Sequence, residues 1–267
     1  VICSNMKQVR PADIREIYAL RAQTIDYFFP EREEEIEFWH ELIQKYGKDV
    51  LHLMCGTAEL SVGLAKKGYD VTALDLTEEM IYVAEDRIEE ERKKEEDLNI
   101  ELVTDDARYF NLDKRFNFAF VSTGDFHHFE DREDIDSFLA KSYAHLEPGG
   151  ALALELFKLP DEDFHRDEKK FDPMRAPPNH MDLWKYNQTS YNSDTNLLEI
   201  KEKLSVDKQD EGEVRSVEYE IQLRLFSKDE IKEILKEAGF ENIHFIDHRE
   251  FTPYLKDSNT FVVIGER

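Results

Sequence analysis

Cysteine is nearly absent from this 267-residue chain. Its two residues, Cys3 and Cys55, cannot build a disulfide framework or a thiolate zinc site. Positive charge is scarce as well. The chain has 35 Lys and Arg against 60 Asp and Glu, a formal net charge of −25. Such a chain repels a phosphate backbone, whose binding rests on cationic patches that release counterions, so no nucleic-acid partner is expected. No run approaches the roughly 18 apolar residues of a membrane span, so no membrane partner is expected either. Val1 to Arg10 lacks the apolar block of a signal peptide, which makes the cytoplasm the expected location. The nine histidines include no His-Glu-x-x-His pair, and no metal is implied. What remains is 40% hydrophobic residues over a length that can bury a full core, the profile of a soluble, acidic, globular protein. The oligomeric state is not legible.

The period of the apolar residues divides the chain. Ile14, Ile17, Tyr18, Arg21, Ile25 and Phe28 predict one helix, and Ile36, Trp39, Ile43 and Tyr46 a second. From Val50 the pattern alternates strand and helix. Strands are predicted at 50–53, 69–75, 100–103, 116–122 and 151–157, and two more near 243–246 and 260–264. Their near-continuous apolar character predicts a doubly wound, mostly parallel sheet of seven strands covered on both faces. Residues 158–191, with Pro160, Pro173, Pro177 and Pro178 among charges and aromatics, predict a long connection able to act as a lid. The alternating runs 198–206 and 217–225 predict an antiparallel hairpin. Ser227-Lys228-Asp229-Glu230 is a capping box, and Gly239 closes the helix it opens. The expected units are 1–157, an insertion at 158–226, and a return to the sheet at 227–267.

The turns at the strand ends carry the chemistry, because open parallel sheets bind ligands beyond their carboxyl ends. Asp49-Val50-Leu51-His52-Leu53-Met54-Cys55-Gly56-Thr57-Ala58 resembles the first motif of the class I S-adenosylmethionine-dependent methyltransferases, V-L-D-L-G-C-G-T-G, with matching spacing. Asp75 resembles the acid that accepts hydrogen bonds from the cofactor's ribose hydroxyls, and Leu76 and Met80 follow it. Asp106-Ala107 resembles the pair at the adenine edge, Ser122 and Thr123 a pocket-lining strand end, and Leu146-Glu147-Pro148-Gly149-Gly150 the family's L-x-P-G-G turn. The resemblance covers residues 14–267. It implies a Rossmann-like methyltransferase fold, S-adenosylmethionine as cofactor and S-adenosylhomocysteine as product.

Three residues depart from the family pattern. His52 stands where the family has an acid, Met54 at its first glycine and Ala58 at its last. On one reading His52 is a core histidine and Met54 a gap filler. On the other the methionine end of the pocket is altered. Cys55 is read as a small buried residue, since cysteine is common there in the family. After the fourth strand the chain lacks the N/D-P-P-Y/F motif of nucleobase methyltransferases. Its Gly124-Asp125-Phe126-His127-His128 instead resembles the G-[ND]-S-[FL]-x-H segment of small-molecule N-methyltransferases, one residue shorter. His127 and His128 are the candidate bases, with His127 slightly favoured. Tyr18, Tyr27, Phe126 and Trp184 are candidate substrate walls. The resemblance implies methyl transfer to nitrogen or oxygen of a small molecule. The alternatives are another reaction of the cofactor, at its aminobutyrate arm, and a non-catalytic cofactor-binding protein.

Overall fold

Helix α1 (Pro11–Thr24) opens on a proline, whose fixed φ suits a first helical turn, and tightens into a 3-10 turn at Ile25–Phe28. The predicted single helix therefore ends four residues early. The computed structural model describes residues 11–28, 32–94, 98–176, 181–208, 213–248 and 260–267. After α2 (Arg32–Ile43) come β1 (Asp49–Leu53), α3 (Glu59–Lys66), β2 (Asp70–Asp75), α4 (Glu78–Arg92), β3 (Ile100–Thr104), β4 (Phe116–Val121), α5 (Arg132–Ala144) and β5 (Leu146–Phe157). Four long strands follow, β6 (Phe164–Ala176), β7 (Met181–Asn192), β8 (Leu197–Lys208) and β9 (Glu213–Arg224). The chain then returns through α6 (Lys228–Glu237), β10 (Glu241–His248) and β11 (Thr260–Glu266). The capping box at the start of α6 forms, with Ser227 Oγ accepting the Glu230 N–H at 3.1 Å.

Seven strands form the main sheet in the order β10-β11-β5-β4-β1-β2-β3, with β11 antiparallel to both neighbours and the other pairs parallel. Alternation along the strands splits the core in two. Leu51, Leu53, Ala119, Val121 and Leu154 pack with Phe138, Ile231 and Leu235 on one face. Val50, Phe118, Phe120, Ala153 and Ile264 pack with Trp39, Leu64 and Ile81 on the other. Each such aromatic or aliphatic side chain contributes roughly 1.5–3 kcal/mol by leaving water.

The segment expected as an irregular lid is sheet instead. β6 and β7 pair antiparallel, β7 continues onto β8, and the predicted hairpin is one half of a four-stranded sheet in the order β6-β7-β8-β9. Pro173 falls where the β6–β7 register shifts, between Asp172 and Ala176, a place where a strand tolerates a residue without an N–H. The inner face of this sheet, with Leu198, Ile200, Leu223 and Tyr219, shares a core with Ile17 and Leu20 of α1. The sheet thereby stands over the carboxyl ends of the parallel strands.

Candidate active site

β1 and β4 are neighbours, and the chain leaves β1 toward β2 on one side and β4 toward β5 on the other, so a crevice opens beyond their carboxyl ends. The first turn into it runs from β1 into α3. Met54 (φ 59), Gly56 (φ 56) and Ala58 (φ 56) all adopt the left-handed conformation. Positions 54 and 58 thus keep a backbone that suits glycine although their side chains cost about 1 kcal/mol or more there. A Cβ added at Gly56 meets nothing within 4 Å, so the backbone faces open space. Asp75, at the end of β2, fastens this turn: Oδ2 accepts the Gly56 N–H at 2.8 Å and Oδ1 the Thr77 N–H at 2.9 Å. Burial pushes the Asp75 carboxyl above its usual range, against those two backbone donors.

Two cavities meet at Met54. The smaller is lined by Leu74, Asp75, Leu76, Asp106, Ala107 and Phe129. The larger holds His52, Cys55, Gly56, Thr57, Ser122, Thr123, Asp125 and His128, under Leu204, Ile221 and Leu223 of the four-stranded sheet. Each Asp75 oxygen keeps a second lone pair for a hydroxyl. Around it, Leu76, Ala107 and Phe129 offer apolar surface to a flat ring. The residues present therefore fit an adenosine in the smaller cavity and its sulfonium arm along the Gly56 backbone.

The second turn follows β4. Thr123 (φ 56) and Gly124 (φ 75) reverse the chain. A Cβ at Gly124 would stand 2.4 Å from the Phe157 ring, so glycine is required by space as well as by φ. The turn is held by the buried Glu155, whose Oε2 accepts the Thr123 N–H at 2.8 Å, and by Thr123 Oγ1 donating to Asp125 at 2.8 Å. His128 Nε2 lies 3.9 Å from Asp125 Oδ1. Burial, with the charge of Arg21 adding, holds His128 down to about 3, so its imidazole is neutral at ordinary pH.

Residues 50–150 match the family model described as a methyltransferase domain. That match runs from β1 to the start of β5. The chain is 32% identical over 109 residues to the cypemycin N-terminal methyltransferase of Streptomyces sp, covering 41% of this chain and 42% of that protein. It is 28% identical over 123 residues to the YqeM protein of Bacillus subtilis, 43% and 47% of the two chains. The chain thus spans less than half the length of these curated relatives. A solved S-adenosylmethionine-dependent methyltransferase from Clostridium acetobutylicum shares the fold at TM-score 0.67 and 17% identity, over 94% of this chain and 98% of that one. CalS10, an amino pentose methyltransferase from Micromonospora echinaspora, does so at 0.63 and 17%, over 96% and 98%.

Within the methyltransferase fold, the sequence-predicted residues separate. Met54, Cys55, Gly56, Thr57, His52, Ser122 and Thr123 line the larger cavity, and Asp75, Leu76, Asp106 and Ala107 the smaller. Ala58 is fully buried behind the turn. Met80 is a correction. It packs with α1 and the four-stranded sheet and lines neither cavity. His52 stacks on Phe120, with its ring nitrogens 2.7 Å from Ser61 Oγ and 3.1 Å from Ser122 Oγ, so its polar edge serves the scaffold of the pocket wall. Burial, with Asp75 nearby, raises the Cys55 thiol, which disfavours a thiolate nucleophile.

His127, the favoured base, is also corrected. It is fully buried, Nδ1–H donates to the Arg224 carbonyl at 2.6 Å, and Nε2 accepts the Phe157 N–H at 2.9 Å. Both nitrogens bridge β5 to β9, and the ring is sandwiched between Phe157 and Phe226. His128 is the histidine that reaches the cavity. Phe126 is core against Phe129, Phe138 and Phe226, and Tyr18 is core of α1. Trp184 is 43% exposed: strand alternation turns it outward and its neighbour Lys185 inward. The side chain of Tyr27 lies outside the described residues.

Asp26, Glu59 and Lys185 of the larger cavity carry no local signal in the sequence, Glu202 shows only as a charge in phase with the apolar positions of its strand, and Arg21 stands there only as part of a helix face. Asp26 accepts from Thr57 Oγ1 at 2.7 Å and pairs with Arg87 at 2.5 Å, while Arg87 Nε donates to the Thr57 carbonyl at 3.2 Å. This knot ties the 3-10 turn after α1 to the glycine-containing turn. Among the described residues no group of three or more His, Cys, Asp or Glu side chains is placed to hold a metal, and no helix is long and apolar enough to cross a membrane.

Proposed function

We propose that this protein transfers the methyl group of S-adenosylmethionine to a nitrogen of a small-molecule acceptor. One observation carries the reading: a single cavity is walled on one side by the Gly56 turn and on another by Asp125 and His128, beneath the four-stranded sheet. When bound, the cofactor supplies an electrophilic methyl on a sulfonium. The chain's own part is to hold its partners. Asp75 accepts from the ribose hydroxyls, and the Gly56 backbone admits close approach. Asp125 accepts an N–H of the acceptor amine and so aims its lone pair, and Leu204, Ile221 and Leu223 offer apolar surface above it. Such positioning accounts for much of the rate gain available to a displacement reaction.

Nitrogen is favoured over oxygen by the basicity of the site. His128, held down to about 3, is too weak a base to take the proton of a hydroxyl. An amine needs only its neutral form and an orienting acceptor. Neighbours of the same fold include enzymes named as amino pentose and sugar N-methyltransferases, in keeping with such an acceptor. Incubation with S-adenosylmethionine and a panel of amines, followed by mass spectrometry, tests the reading. S-adenosylhomocysteine together with an amine heavier by one CH2 is the expected result. Methylthioadenosine would indicate chemistry on the aminobutyrate arm instead, and no turnover with retained binding a cofactor-binding protein.

A further inference from the structure

The cavity wall made by β7, β8 and β9 is apolar at Leu204, Ile221 and Leu223, but Lys185 and Glu202 line the same space, joined by Arg21 from α1. Lys185 Nζ lies 2.6 Å from Glu202 Oε2, the two side chains being 8% and 3% exposed. The Tyr219 hydroxyl, directly across from Glu202 in the β8–β9 register, donates to the same carboxylate. The Arg21 guanidinium stands over the Tyr219 ring, 5.2 Å from its centroid.

Stability alone does not account for this cluster. Desolvating an ion pair consumes much of what the pair returns, and apolar residues of similar volume often serve as well. Leu204, next but one to Glu202 on the same face of β8, is such a residue. Arg21 and Lys185 line the same cavity as Asp26, Glu59 and Asp125, and the charge of Arg21 is felt at His128. A chain with a net charge of −25 repels anions from its surface, so an anionic ligand needs local cations to hold it.

We propose that Arg21 and Lys185 form the recognition site for an anionic group, carboxylate or phosphate, carried by the acceptor. The proposal rests on the methyl-transfer reading and narrows its substrate class to amines bearing an anionic oxygen group. Guanidinium and ammonium together suit such a group, the first by its planar fork of donors and the second as a compact charge. Glu202, held by Lys185 and Tyr219, is the positioning residue that fixes the ammonium. Burial and the charge of Arg21 act to deprotonate Lys185, and Glu202 opposes them.

Calorimetric titration tests this with 4-aminobutyrate against its carboxamide and 6-aminohexanoate against its carboxamide. Ethanolamine phosphate against ethanolamine forms the phosphate arm, and each titration is run with and without S-adenosylhomocysteine. Tighter binding by at least about tenfold of an acid over its amide is expected in the carboxylate arm, or of the phosphate ester over its alcohol in the phosphate arm. That difference should vanish in Arg21→Gln and in the paired variant Lys185→Gln/Glu202→Gln, which leaves no lone buried charge and whose fold is checked by its unfolding midpoint. Equal affinities, no binding by any anionic probe, or a difference that survives in both variants overturns the proposal. Failure of S-adenosylhomocysteine itself to bind the wild type counts against the methyl-transfer reading. The titrations without it still decide the anion site.

Discussion

Acidification offers a direct test of where His127 sits. The ring is fully buried, with both nitrogens committed, and burial holds it down to about 4 against the 6.5 of a free imidazole. Between those values the unfolded chain takes up a proton that the folded chain refuses. The stability associated with neutral His127 is therefore complete above about pH 6.5 and is lost as the pH falls toward about 4. The whole gap corresponds to roughly 3 kcal/mol at about 1.4 kcal/mol per tenfold change in acidity, of which about 2 kcal/mol is lost between pH 7 and pH 5. Urea unfolding of the wild type and of His127→Gln at both pH values measures it, with unchanged m-values as the check that both unfold alike. At pH 7 the variant should be less stable by about 1–3 kcal/mol, because the Phe157 N–H and Arg224 carbonyl lose good partners. Its further loss on going to pH 5 should be smaller than the wild type's by about 2 kcal/mol. Equal losses would refute the buried, neutral bridge.

Ala58→Gly should raise stability by about 1 kcal/mol in the same assay, because position 58 has a left-handed φ of 56; a lower stability would mean that its methyl group matters more than its backbone. Asp75→Asn should weaken S-adenosylhomocysteine binding by about 1.5–3 kcal/mol in calorimetry, and unchanged affinity would remove the ribose assignment. Asp26→Asn loosens the knot with Thr57 and Arg87, and a cofactor affinity lower by about tenfold is expected, with Asp26→Glu recovering part of it. His128 is held down to about 3, so turnover should show no histidine step between pH 7.5 and pH 5.5; a step near 6.5 that disappears in His128→Gln would contradict its burial.

The seven-stranded fold and the turns at its strand ends were legible because they are local. Strand runs, the glycine at 56, the acid at 75 and the Pro148-Gly149-Gly150 turn each declare themselves within a few residues, and their order along the chain fixes the parallel sheet. Glu202 was legible too and was missed: it sits in phase with Leu198, Ile200, Leu204 and Val206, so a charge occupies a core position of β8. The alternation that turns Lys185 inward and Trp184 outward depends on which face of the second sheet meets α1, and that is set only when β7 pairs with β8. Likewise His127 and His128 are neighbours of the same type in the same loop. Nothing local separates them, because their roles come from the Arg224 carbonyl on β9 and the Phe157 N–H on β5, 97 and 30 residues away along the chain. The sequence determined the scaffold and the turns at its strand ends, where backbone geometry is set by residues near in sequence. The cluster of Arg21, Lys185 and Glu202 was decided by tertiary structure alone, because its side chains converge from elements that only the folded topology brings together.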